Sequence, residues 1–301
     1  MPDQPKVAAV IDRLRAAASP SWKDQPWDGL QSGSLDAPVK AVAVTWAPTL
    51  AVLKQAVAKG VNLILTKDPN YWYEDESPRS SVDSSTSRVA EGMAAGSSKA
   101  AVLKTDLYAA KKKFIESNNL NIYRISENWY GQTSMASEGL LDALGWKAAS
   151  SISAVAAYPE EKTAIVTLPA AQPLYGLATA AKAKLGGKSA RLIGDRAARI
   201  AKVAVHPGYL TIAAITEIAK VPNLDLILTG EACEWEAFVY AEDWITAGHG
   251  KGFLMLGLAV TSDAAASGVA AWVKKTLSGI SVQALHDGDP LSPILAGRLR
   301  A

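Results

Sequence analysis

The chain has 301 residues, 49% of them hydrophobic and 20% charged, with 31 Lys and Arg against 29 Asp and Glu. That length builds a sizeable core, and the near-cancelling charge excludes a protein whose main task is coating nucleic acid or an anionic membrane; no run approaches the ~20 apolar residues of a membrane span. A single cysteine, Cys233, and three separated histidines, His206, His249 and His286, exclude an intramolecular disulfide, a cysteine zinc cluster and a histidine-rich metal site.

The first stretch predicts an amphipathic helix with Val7, Val10, Ile11 and Leu14 on one face, and it has no basic leader before an apolar run. Cytoplasmic residence is therefore the expectation, with export after loss of a leader absent from this chain as the alternative. "VKAVAVTWAPTLAVLKQAVAKGVNLILTKD", Val39 to Asp68, reads as strand, turn with Pro, helix and strand. Much further on, "IAKVAVHPGYLTIAAITEIAKVPNLDLILTGE", Ile200 to Glu231, repeats that order, with Thr66 over Thr229 and Asp68 over Glu231. Each copy predicts a β-α-β unit: strands of continuous Val, Ile and Leu are buried on both faces, which calls for a parallel sheet with helices packed on it. Leu50, Leu53 and Val57 supply the apolar stripe of one helix, and Ile212, Ile215 and Ile218 that of the other.

Between the copies, Ser77 to Ala100 is a Ser/Ala/Gly-rich excursion. "TDLYAAKKKFIESNN" then predicts a helix with Lys111 to Lys113 on its solvated face, followed by the strand "LNIYRI", the polar loop "SENWYGQTS" and an amphipathic helix, "MASEGLLDALGW", ended by Gly145. Next come the strand "TAIVTLP", the helix "LYGLATAAKAKL", the turn "GGK" and the strand "ARLIG"; the tail after the second copy reads strand, loop, helix, strand. The fold class is α/β, in two pseudo-symmetric halves with mostly parallel sheets flanked by helices. The halves are residues 1–150, with the excursion at 77–100, and 151–301, which hold the second copy.

In such sheets ligands bind beyond the carboxyl ends of the strands. "NLILTKDPNYWYED", Asn62 to Asp75, is a strand that stops in a polar, aromatic loop at that place. Tyr71, Trp72, Tyr73, Trp129, Tyr130 and Trp235 could line a cleft suited to a sugar, a nucleobase or a partner side chain; core and interface packing is the competing reading. Gly186-Gly187-Lys188-Ser189 lacks the spacing of a phosphate loop and follows a helix, so it is a turn. His206, after the "VAV" strand, is a structural strand-end histidine or a lone base.

"WDGLQSG" (Trp27 to Gly33), "LILTKDP", "LDLILTGEACEWEAF" and "FLMLGLAVTSDAA" together, in order and spacing over nearly the whole chain, resemble the Nif-three-like (NGG-one-interacting factor three) dinuclear metal-centre proteins, also described as GTP cyclohydrolase I type II-like. The resemblance implies toroidal homohexamers built from dimers. It also places the family's metal-ligand positions at Lys67 and Asp68, at Ser126 and Tyr130, at Leu258, and at Ser262 with Asp263 beside it. At least four of these positions have lost the donor the family uses: the Lys67 ammonium repels a divalent cation, and Leu258 has no lone pair. The expectation is a homo-oligomer with no catalytic residues and no resident metal, binding a ligand or partner and neither nucleic acid nor membrane. The cleft candidates are Lys67, Asp68, Trp72, Glu127, Tyr130, Glu231, Glu234, Trp235, Leu258, Ser262 and Asp263. The alternative is a divalent-metal hydrolase in which Asp68, Glu127, Glu231, Glu234 and Asp263 weakly hold Mg²⁺ or Ca²⁺. The bland reading of Glu231 and Glu234 is capping and pairing on the helix that follows "LILTG".

Overall fold

The structure is a computed structural model that describes residues 4–19, 22–23, 28–72, 101–125, 128, 135–155 and 158–293. The chain divides into two compact units, Met1–Gln132 with Val269–His286, and Thr133–Gly268 with Asp287–Ala301. Residues 133–150 thus belong with the second unit, and the final strand with the first.

The first unit holds a five-stranded sheet in the order β1-β4-β3-β2-β13. Its strands are β1 (Gly29–Ser32), β2 (Ala41–Thr45), β3 (Leu63–Thr66), β4 (Asn121–Arg124) and β13 (Ser281–Ala284). β13, β2, β3 and β4 run parallel, and β1 closes one edge antiparallel to β4. Helices α1 (Val7–Ala18), α2 (Leu50–Ala58) and α3 (Asp106–Ser117) belong to this unit. Every residue of β2 and β3 is buried, as expected of central strands covered on both faces. Val7, Val10, Ile11 and Leu14 of α1 are buried as their spacing requires.

The second unit holds a six-stranded sheet in the order β5-β6-β8-β10-β12-β7. Its strands are β5 (Ser150–Val155), β6 (Tyr158–Pro173), β7 (Arg191–Ile193), β8 (Arg199–Val205), β10 (Leu226–Thr229) and β12 (Gly252–Met255). β8, β10 and β12 are parallel, while β5, β6 and β7 add antiparallel pairings. Short strands β9 (Tyr209–Leu210) and β11 (Glu231–Ala232) pair with each other. Alternate residues of the central strands face opposite layers, the period-two consequence of the pleat. Val203, Val205, Leu226, Leu228 and Leu254 pack with α4 (Met135–Leu144) and α5 (Leu174–Lys184). Ala204, Ile227, Phe253 and Met255 pack with α6 (Ile212–Ile218), with Ala237 of a π-helical turn (Glu234–Phe238), and with α7 (Val239–Thr246). Helix α8 (Leu258–Thr276) follows β12. Gly139 of α4 and Gly268 of α8 allow those helices to touch: a Cβ on Gly268 would stand 2.1 Å from the Met135 carbonyl oxygen and 2.8 Å from the Gly139 nitrogen.

The duplication expected from the two "LILT" copies is present in the fold. β2-α2-β3 and β8-α6-β10 are both parallel β-α-β units, and each sheet carries an antiparallel edge strand beside its third parallel strand. The correspondence extends to single hydrogen bonds. Thr49 Oγ1 accepts the Val52 N–H at 3.2 Å and caps α2, and Thr211 Oγ1 accepts the Ala214 N–H at 3.2 Å and caps α6. The carbonyl of Thr66 accepts from the Ile125 N–H at 2.9 Å, and that of Thr229 from the Leu256 N–H at 3.0 Å.

Two expectations change. The buried stripe of α2 is Val52, Leu53 and Ala56, with Val57 exposed, and that of α6 is Ala214, Ile215 and Ile218. The threonine cap fixes the start of each helix, and hence which residues point inward. Lys111 is not on a solvated face: it is 1% exposed, while Lys112 and Lys113 lie in water. The expected excursion at 77–100 and the predicted loop residues Glu127, Trp129, Tyr130 and Tyr73 lie outside the described residues.

Candidate functional site

β2 and β3 end side by side, Thr45 opposite Thr66, and the chain turns sharply after each. Thr66 Oγ1 lies 3.2 Å from the Trp46 carbonyl and 3.0 Å from the Asp68 carbonyl, and the Asp68 N–H donates to the Trp46 carbonyl at 2.8 Å. These bonds tie the two strand ends together and hold Trp46 and Asp68 beside one another. Trp46, Ala47, Pro48 and Thr49 then form one wall of a pocket of ≈ 340 Å³, completed by Asp68, Pro69, Trp72 and Lys111. The lining is predominantly apolar with a few polar groups, the usual chemistry of a small-molecule site.

Of the predicted cleft residues, Lys67, Asp68 and Trp72 meet here. Lys67 Nζ lies 3.0 Å from Asp68 Oδ1, and both side chains are largely covered, at 16% and 26% exposure. The Lys67 carbonyl accepts from Arg124 Nε at 3.0 Å, which pins the strand end from the β4 side. Trp72 is half exposed and has φ 64°, a left-handed backbone that a bulky side chain rarely adopts. Its ring stands edge-on to Tyr71 with centroids 6.4 Å apart, and Tyr71 leans on Tyr108 of α3 at 4.7 Å. Burial pushes the Tyr71 phenol up, against a side-chain hydrogen bond with Ser32.

Lys111 is the member of this site that sequence reasoning missed. Its Nζ lies 4.7 Å from the Trp72 ring centroid and 5.8 Å from that of Tyr71, and it donates to the Asn70 carbonyl. Desolvation pulls its pKa down from 10.5 to about 8. No carboxylate among the described residues pairs with it. Asn70 is itself fully buried: its amide donates to Ser32 Oγ at 3.0 Å, and its Oδ1 has no partner among the described residues. The signal for Lys111 was periodicity. Tyr108, Lys111 and Ile115 stand at i, i+3 and i+7 on α3, the inward stripe, whereas the "KKK" run reads as solvated by composition.

The remaining candidates that the structure describes lie in the second unit and are engaged separately. Glu231 is exposed on β11. Glu234 does not cap the following helix: it pairs with Arg191 on the edge strand β7, whose guanidinium holds the carboxyl below its usual range and also lies 4.8 Å over the Phe238 ring. The π-helical turn instead begins at Cys233, which makes no side-chain cap. Trp235 is 67% exposed. Leu258 opens α8, its carbonyl 3.3 Å from Thr261 Oγ1. Ser262 and Asp263 are buried, and Asp263 Oδ2 accepts the Gly288 N–H at 3.0 Å. His206 is fully buried with Nδ1 3.0 Å from Thr163 Oγ1, a strand-end histidine set inside the sheet. Gly186-Gly187-Lys188-Ser189 is the turn closing α5, where the Lys188 N–H donates to Asp289 Oδ2 at 2.7 Å. Among the described residues of each unit, no three His, Cys, Asp or Glu side chains gather as a metal-binding group, and no helix is long and apolar enough to cross a membrane.

Comparison with known proteins bears on the family and the fold. The profile of the Duf34/NIF3 (NGG1p interacting factor 3) family matches residues 5–98 and 97–251, one segment for each copy of the repeat. Among solved structures, the Staphylococcus aureus hypothetical protein SA1388 superimposes with a TM-score of 0.71 at 18% identity, over 97% of this chain and 100% of that one. A Bacillus cereus protein related to NIF3 gives 0.69 at 16% identity, over 96% and 99%. Reduced HcgD from Methanocaldococcus jannaschii gives 0.63 at 16%, over 93% and 98%. No curated protein matches the sequence. Identities this low establish a shared fold and carry no activity with them.

Proposed function

The chain belongs to the Duf34/NIF3 family, and from that premise we propose a cytoplasmic, ligand-binding homo-oligomer that holds no dinuclear metal centre and performs no metal-dependent hydrolysis. The observation that carries this reading is the ion pair between Lys67 and Asp68 at 3.0 Å, at the end of β3. By resemblance, two metal ligands belong at those two positions. Here one side chain is a cation and the other is already neutralised by it. A divalent ion would have to displace a largely covered ammonium and then sit beside it, so this donor set does not suit the centre. Leu258 offers no donor at a third position, and the carboxylates of Glu234 and Asp263 are engaged by Arg191 and by the Gly288 N–H. The same considerations weigh against Mg²⁺ or Ca²⁺ at a carboxylate cluster.

What the site offers instead is the pocket between Trp46 and Trp72, sized for a small molecule with a flat apolar part. Self-association is supported by the apolar surface of Trp235 and Val239, 67% and 56% exposed on successive turns of the second unit. Elemental analysis of the full chain purified without chelator tests the central claim. Fewer than about 0.1 Zn, Fe, Mn or Ni per chain is expected, and a stoichiometric transition ion overturns the reading. Native mass spectrometry at micromolar concentration tests the second part, which a monomer would end.

A further inference from the structure

We propose that Lys111 is a nucleophilic amine that captures a small aldehyde or ketone with a flat apolar body as an imine inside the Trp46–Trp72 pocket. The inference rests on the reading that this pocket holds a ligand, and it names the class of that ligand.

Three features of the geometry point there. Lys111 is one of the residues that line the pocket, and its 1% exposure keeps bulk water from its amine. Its surroundings suit a neutral amine better than an ammonium: two aromatic rings and one backbone carbonyl, that of Asn70, with no carboxylate partner among the described residues. The same lining includes Trp46, Pro48 and Pro69, apolar groups that suit the body of an aryl or unsaturated carbonyl compound. A desolvated lysine in a hydrophobic pocket is an established way to prepare an amine for attack. With its pKa drawn down to about 8, roughly a tenth of Lys111 is free base at pH 7, several hundred times the fraction of a solvated lysine.

The step balances without a redox partner. The Nζ lone pair attacks the carbonyl carbon, the C=O π pair moves to oxygen, and that oxygen takes a proton to give a carbinolamine. The nitrogen lone pair then forms C=N as the hydroxyl leaves with a proton as water. One amine and one carbonyl give one imine and one water, and hydrolysis reverses the sequence.

The test uses benzaldehyde with cyanoborohydride on the full chain at pH 7, followed by peptide mass mapping. Lys112 and Lys113, exposed neighbours on the same helix, serve as internal controls in the same molecule. Reductive alkylation of Lys111 at least tenfold faster than of either neighbour is expected, and a rate equal to or below theirs overturns the proposal. Benzyl alcohol, which has the same body and no carbonyl, is titrated in parallel against the Trp46 and Trp72 indole N–H signals, assigned with Trp46→Phe and Trp72→Phe. Shifts on both rings without selective labelling of Lys111 leave the pocket standing and sink the imine. No shift and no selective labelling sink both.

Discussion

Replacing Lys111 by Met tests the physical core of the site without knowledge of any ligand. Met has a similar length, keeps the space filled and carries no charge. The lysine's pKa drops from 10.5 unfolded to about 8 folded, so between those values the unfolded chain binds more protons and stability rises with pH. The contribution is present in full above 10.5 and is lost as pH falls through 8. At about 1.4 kcal/mol per pH unit, the buried ammonium costs the native state about 3 kcal/mol at pH 7 and about 2 kcal/mol at pH 9. The methionine variant escapes this cost but leaves the Asn70 carbonyl without its donor, a loss of about 1–2 kcal/mol. It should therefore be more stable than the parent by about 1–2 kcal/mol at pH 7, and that advantage should shrink by about 1 kcal/mol at pH 9. Urea unfolding of both proteins at both pH values measures it, and the pairwise difference cancels every other titrating group. A methionine variant less stable than the parent at pH 7, or a difference that ignores pH, would refute the reasoning.

Further expectations follow from single contacts. Thr49→Ala and Thr211→Ala each remove one helix cap of the same 3.2 Å geometry, so each should lower stability by about 1 kcal/mol in urea unfolding, and by similar amounts. Gly268→Ala puts a methyl 2.1 Å from the Met135 carbonyl oxygen; forcing α4 and α8 apart should cost about 3 kcal/mol or more, read as a lower Tm. Asp225 ties β8 to β10 by accepting the Ala201 and Lys202 N–H groups at 2.7 and 3.0 Å and pairing with Lys251 at 2.7 Å. Burial works to raise its pKa, but the Lys251 bond and the two N–H groups outweigh it and the net shift is downward. Its contribution is thus present above 3.8 and fades as pH falls through the lower folded value; the deficit of Asp225→Ala, about 2–4 kcal/mol at pH 7, should shrink on acidification.

What the sequence revealed and what it hid separate along physical lines. Strand identity and the duplication were legible because continuous Val, Ile and Leu leave a signal that no neighbour alters: "LILT" is buried at all four positions in both copies. Helix faces were legible only to within a residue, because the cap and not the apolar spacing sets the phase, and the stripe Leu50, Leu53, Val57 became Val52, Leu53, Ala56. The role of Glu234 was hidden because its partner, Arg191, is 43 residues away on an edge strand whose register depends on the completed sheet. Lys111 was hidden for the opposite reason, since composition outvoted a periodicity that was there to be read.

The two copies also explain why a site stands in the first unit at this position and not in the second. Position 67 is Lys and its counterpart, position 230, is Gly. A Cβ at Gly230 would stand 2.2 Å from Thr261 Oγ1 and 2.7 Å from the Gly208 carbonyl, because the Gly230 and Glu231 N–H groups both close onto that carbonyl at 3.0 Å. The second strand end is therefore sealed against any side chain by the Thr261 hydroxyl and the Gly208 carbonyl. In the first, the carbonyl of Trp46 takes the N–H of Asp68, the counterpart of Glu231, and position 67 carries a long side chain. An ammonium there reaches the adjacent carboxylate, and the loop that follows turns back at Trp72 over Lys111. The same β-α-β frame thus yields a closed strand end in one copy and an aromatic pocket in the other, with Gly after the strand in the first case and Lys in the second.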